Sequence, residues 1–176
     1  MDIIATTLSQ LPISDEQSTI PDFAIKACSN KNRTIENFAL QLRYILSDKS
    51  IGIHHNVYAY IPPGASKEEV RQISIRNPDP KIGKEVGDRN CGQLSHFYNL
   101  KPGNHILVGK GQNEPLFLAR IASYPYYQPS IPEDSGFTNH DHEWHHHRIR
   151  IDKIKKVPAN YPWKGFQKTL APYKPL

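Results

Sequence analysis

Apolar positions along this chain change their period twice, and the changes mark out its elements. From Asn32 onward Ile35, Phe38, Ala39, Leu42, Ile45 and Leu46 recur at helical spacing, with Glu36 in the first turn and Arg43 late. The spacing predicts an amphipathic helix capped by Asn32 or Thr34 and ending near Asp48. Ser50–Ile53 and Val57–Ile61 then read as extended, stopped by Pro62-Pro63-Gly64. Ser66-Lys-Glu-Glu69 has the form of a capping box, in which the hydroxyl and the Glu69 carboxylate satisfy each other's free backbone N–H groups. It opens a short helix running to about Ser74, with Val70 and Ile73 inward. Residues 75–87, with two prolines and two glycines, read as a loop. Asp88 is the expected cap of a third helix, running to Tyr98 with Cys91, Leu94 and Phe97 or Tyr98 inward. After it the period becomes two.

Lys101-Pro-Gly-Asn104 has the residues of a type II turn. His105–Gly109 and Leu116–Ser123 follow as a strand pair joined through Gly111–Glu114. A loop rich in Pro and Tyr (124–139) leads to a further strand at His147–Ile151, with Ile154 and Val157 continuing the packing. The pattern therefore predicts one α+β domain over 31–157. An irregular leader (1–30), with room for an added strand, precedes it. An extended Pro-rich basic arm (158–176) follows it. No internal repeat is visible.

Composition narrows the class. The chain has 176 residues, enough for one domain with a real core, and its mean hydropathy of −0.61 lies within the globular range. Apolar runs reach only four or five residues, so no membrane-spanning helix is expected, and no secretory signal is legible. Two cysteines cannot build a disulfide framework. A soluble intracellular protein is the expectation. Charge changes the picture more. Residues 148–176 carry eight Lys/Arg against Asp152 alone, a segment charge of +7 on a chain whose total is +5. Such a block suits a phosphate backbone, with Arg148, Arg150, Lys153, Lys155 and Lys156 as the phosphate-binding candidates.

The densest run of possible chemistry is His140-Asp-His-Glu-Trp-His-His-His147. His140 with His142, and His145 with His147, have the i,i+2 spacing that lets two imidazoles converge from a strand on zinc. With no CxxC or HExxH beside it, the run is better read as a polar loop entering a strand, and no cofactor is expected. Nucleophile motifs and phosphate loops are absent from the sequence. No catalytic residue is named, although a hydrolase acting on a modified nucleoside would use these histidines. A third possibility is a basic structural or interaction protein. The aromatics Tyr124, Tyr126, Tyr127, Phe97, Tyr98 and Trp144 either pack loops or stack on a base.

Five segments occur in an ordered series: Ile51-Gly-Ile-His-His55, Gly92-Gln-Leu-Ser-His-Phe97, Leu100-Lys-Pro-Gly-Asn-His-Ile-Leu-Val108, Ala119-Arg-Ile121 and His146-His-Arg-Ile-Arg-Ile151. The series resembles the PUA-like superfamily, in particular EVE-type (YTH-like) modules that read modified bases in modification-dependent restriction systems. It covers residues 50–155. Asn104 stands where that family tends to carry Asp, and His54, His55 and Ser95 stand near positions where Trp is frequent. The resemblance implies a twisted antiparallel β-barrel flanked by helices, and a pocket for a flipped base. That pocket would be formed by His54, His55, Ser95, Phe97, Tyr126 and Tyr127. The implied partner is nucleic acid, with DNA favoured over RNA.

Overall fold

The computed structural model describes residues 3–13, 20–28, 35–53, 55, 57–78, 87–110, 114–137, 144–158, 161–162 and 169–173. Helix α1 (Ile3–Leu8) and strand β1 (Phe23–Cys28) come first, then α2 (Ile35–Asp48) and β2 (Ser50–Ile53). Helices α3 (Lys67–Arg76) and α4 (Asp88–Tyr98) precede β3 (His105–Lys110) and β4 (Glu114–Ile121). Last come β5 (Tyr126–Tyr127), a 3-10 turn at Glu133–Ser135, β6 (His147–Lys156) and β7 (Leu170–Pro172). The strands form one curled, half-barrel sheet in the order β2-β6-β4-β3-β1-β7, with β5 also paired to β6. Helices flank it.

Local chemistry accounts for most element ends. The Ser66–Glu69 box forms, Glu69 N–H donating to the Ser66 hydroxyl at 3.2 Å and Ser66 N–H to the Glu69 carboxylate at 2.7 Å. The 101–104 turn closes through Asn104 N–H on the Lys101 carbonyl, with Gly103 at φ +94. Lys49, at φ +51, takes the left-handed position just past α2 and turns the chain into β2. At α4 the cap is Gly87 and not Asp88. Asp88 is drawn into an ion pair with Lys67 on α3, so its carboxylate does not serve its own helix.

The added strand for which the leader has room forms at Phe23–Cys28 and lies inside the sheet. One expectation about the sheet is corrected: it is not antiparallel throughout, because β1 runs parallel to β3. Parallel neighbours need a long crossover, and the stretch carrying α2, β2, α3 and α4 supplies it. The basic arm contributes β7, which pairs antiparallel with β1. Val57–Ile61, expected as extended, is not a strand. The final long strand is twice the expected length: β6 continues to Lys156 through a bulge, three residue steps from Asp152 to Lys155 facing two from Leu118 to Arg120. Lys153, at φ +47, is the bulge residue.

The main core joins the inner face of the sheet to the helices through Ile25, Leu42, Ile45, Ile51, Ile53, Leu94, Phe97, Tyr98, Phe117 and Ile149. A separate aromatic cluster, Tyr44, Phe137 and Trp144, sits between α2 and the loop before β6.

Candidate nucleic-acid interface

The first half of β6 buries polar side chains that the sequence places on a surface. His145, His146, His147 and Arg148 are all under one-tenth exposed. His145 fits because Gly52, on the neighbouring strand, has no side chain; a Cβ there would lie 2.5 Å from the His145 Cβ. In that space the His145 Nδ1 donates to the Gly52 carbonyl at 2.8 Å. His147 Nε2 lies 2.8 Å from the Val57 carbonyl, which can only accept, so the proton sits on Nε2. Its Nδ1 therefore accepts from the Tyr98 hydroxyl at 2.9 Å. Burial, with Tyr60 and Tyr127 nearby, holds the Tyr98 phenol well above its ordinary pKa and keeps that proton in place. Both ring nitrogens of His147 are committed, so it has no lone pair for zinc. This corrects its candidacy as a metal ligand. Among the described residues no three His, Cys, Asp or Glu side chains converge on a metal position. His140 and His142 lie outside the described residues.

Aromatic rings gather around these imidazoles. Tyr127 lies 5.4 Å from the His147 ring and 6.2 Å from His146, while Tyr58 lies 5.1 Å from His146. Tyr98 meets His147 edge-on at 5.6 Å. Both Tyr58 and Tyr127 remain partly exposed. Burial raises the Tyr127 phenol, so it stays neutral and able to donate.

Of the six expected base-pocket residues, the structure brings Tyr127 to this edge and sets Tyr126 beside it on β5. It does not bring Ser95 or Phe97 there. The Ser95 hydroxyl donates to the Ala65 carbonyl at 2.8 Å, tying α4 to the turn before α3. Phe97 is wholly buried and has no face to offer. Its neighbour Tyr98 makes the contact, because one step along α4 rotates the side chain by about 100°. His55 is buried, and His54 lies outside the described residues. Tyr58 and His146 were missed. His146 sits at a bend just before β6, where no period in the sequence marks it.

Arg148 is the larger correction. Expected to grip phosphate, its side chain is 1% exposed. The guanidinium sits 4.8 Å from the Tyr44 ring and 4.5 Å from the Trp144 ring. It donates to the Ser50 hydroxyl through Nε at 3.0 Å and a terminal nitrogen at 2.6 Å, and to the Ser50 and His145 carbonyls. The Ser50 hydroxyl in turn donates to the Asp48 carboxylate. Arg150 closes the chain, its guanidinium 2.9 Å from Asp48 Oδ1 and 5.7 Å from the Tyr126 ring. Burial pulls the Arg148 pKa below the ordinary guanidinium value. A guanidinium can be buried here because its flat faces are covered by rings and its edges by oxygens.

Past the bulge the same strand is basic and accessible. Lys153 is exposed, and Lys155 and Lys156 are half-buried. The one acid in the segment is already engaged: Arg120 forks onto Asp152 at 2.8 and 2.5 Å and holds that carboxyl below its usual pKa. No ion pair neutralises the three lysines among the described residues. Lys164, Lys168 and Lys174 fall outside them. No helix among the described residues is long and apolar enough to cross a membrane. Compared with protein-family models, curated proteins and solved structures, the chain matches none.

Proposed function

We propose that the protein is a non-catalytic nucleic-acid-binding module of PUA-like, EVE-type architecture that accepts an extruded, modified base, with DNA as its principal partner. The observation that carries this reading is the division of β6. One end has partly exposed tyrosines packed on the His146 and His147 imidazoles, and the other has lysines whose one neighbouring acid, Asp152, is already held by Arg120. From His147 to Lys153 the strand spans roughly 20 Å at ~3.3 Å per residue. That is about six steps of one nucleic-acid strand at ~3.4 Å each. Lys153, Lys155 and Lys156 hold the backbone without reading sequence. Tyr127, with Tyr58 beside His146, replaces the stacking that an extruded base loses.

The test compares matched duplexes differing only in one base, unmodified or carrying N6-methyladenine, 5-methylcytosine or 5-hydroxymethylcytosine. Tyr127→Ala should erase the preference and leave salt-dependent affinity in place. Lys153→Ala with Lys155→Ala should weaken every duplex alike and lower the log–log salt slope by about two. Equal wild-type binding to all duplexes would defeat the base-reading claim, and an unchanged slope would remove β6 from the backbone contact.

A further inference from the structure

A separate cleft of about 640 Å³ opens between the second half of α2 and the loop 128–136. Its size falls in the range of small-ligand sites, which is about 300–1,000 Å³. Arg43, Tyr44 and Ser47 line one wall, and Gln128, Asp134 and Ser135 the other. The floor is rigid. Trp144 Nε1 donates to the Gln128 carbonyl at 2.9 Å, Gln128 N–H donates to the His146 carbonyl at 2.8 Å, and Tyr44 is wedged against Phe137, Trp144 and Arg148. Tyr44 is more than nine-tenths buried as a residue and lines the cleft. Its hydroxyl can donate to an occupant of the cleft.

Charge limits what that occupant is. Arg43 stands on one wall and Asp134 on the other, while Asp48 at the rim is already held by Arg150 and Ser50. Opposed, separated charges penalise a phosphate at the Asp134 side and a cation at the Arg43 side. They suit a neutral ligand with acceptors at one end and N–H donors at the other. Arg43 and the Tyr44 hydroxyl are donors for its carbonyl or ring nitrogen; Asp134 and the Gln128 amide oxygen are acceptors for its N–H groups. Arg148 already covers a face of Tyr44, so the ring contributes its hydroxyl and not a stacking surface.

We infer that this cleft is a second binding site, for a neutral ring carrying adjacent carbonyl or ring-nitrogen and N–H groups, the chemistry of a nucleobase. Such a ring reaches the cleft either as a free nucleoside or as an unpaired base of a strand. The indole N–H of Trp144 reports occupancy, because its acceptor belongs to a residue of the cleft wall. Titrating guanosine, cytidine and a short single-stranded oligonucleotide into ¹⁵N-labelled protein should move that resonance saturably. Saturation by the nucleosides identifies a small-molecule site, and saturation by the oligonucleotide alone identifies a base within a strand. Tyr44→Phe keeps the ring that Arg148 and Trp144 pack on and removes only the hydroxyl, so it should weaken binding about tenfold. Asp134→Ala, at an exposed position, should do the same without changing the melting temperature. No saturable shift with any probe, an equal shift with glucose or glycine, or unaltered binding by both variants overturns the assignment. Preference among modified duplexes is measured independently, so the two proposals fail separately.

Discussion

His147–Ile151 and Asp152–Lys156 belong to one strand, separated by a bulge at Lys153, and they treat charge in opposite ways. Before the bulge the Arg148 guanidinium and the His147 imidazole are enclosed, and their polar edges meet carbonyls, hydroxyls and rings. After it Lys153 faces water, Lys155 and Lys156 are half-buried, and only Asp152 is paired. Both stretches are basic in composition. What separates them is the opposing surface: β2, β5, Tyr44 and Trp144 cover the start of the strand on both sides, whereas the second half has β4 along one edge and a bridge to Ile13 only at Lys156. Charge in a sequence therefore describes a binding face only after the neighbours of each residue are known.

The sharpest way to break that contrast is to remove the buried cation. Arg148→Ala leaves the Ser50 hydroxyl and the His145 carbonyl without their donor and opens a hole between Tyr44 and Trp144. Loss of a buried, hydrogen-bonded charge of this kind costs about 3–5 kcal/mol, which chemical denaturation measures directly. Lys does not rescue it, because one ammonium cannot serve Ser50 and His145 while lying flat between two rings. A loss below about 1 kcal/mol would mean the enclosure contributes little.

A smaller break tests the crossing of β2 and the residues leading into β6. Gly52→Ala puts a methyl 2.5 Å from the His145 Cβ and 3.0 Å from the Arg148 guanidinium, both held by their own bonds. Overpacking of this sort costs about 1–3 kcal/mol, and it should also shift the His145 ring resonances.

The weakest effect falls on the exposed half. Arg120 holds the Asp152 carboxyl below its usual pKa, so the pair stabilises the fold above the ordinary carboxylate range and that stabilisation fades as pH falls through the lowered value. Asp152→Asn should flatten the acid side of the stability profile only slightly, since both partners are more than a third exposed and solvent screens them. A steep change would place more energy in this half than the enclosure before it.

Helices were legible wherever a local rule sufficed. The 3.6-residue spacing of Phe38, Ala39, Leu42 and Ile45 located α2, and Ser66 with Glu69 fixed the start of α3, because each signal is complete within a few residues. Strand β1 was not, since its partners Ile106–Lys110 and Leu170–Pro172 lie far along the chain. Arg148 was misread for the same reason: the residues that enclose it are Tyr44, Ser50 and Trp144. At the site, the sequence named Tyr126 and Tyr127 as base-pocket residues, and both lie on β5 beside the start of β6. It chose Phe97 where Tyr98 is the residue that meets His147, and it had no signal for Tyr58.

The position of β1 also sets a timetable. A chain emerging from the ribosome presents Phe23–Cys28 early, but the parallel partner β3 requires residues 105–110 and the outer partner β7 requires 170–172. At ~5–20 residues per second, completing β1 on both sides takes roughly 7–30 s of synthesis after it appears. During that interval an apolar segment containing Phe23, Ala24 and Ile25 has open edges, while α2 and the α3–α4 pair can already form from local contacts. The half-barrel is therefore closed last at the end that was made first, which makes the nascent chain most vulnerable to misassociation at β1.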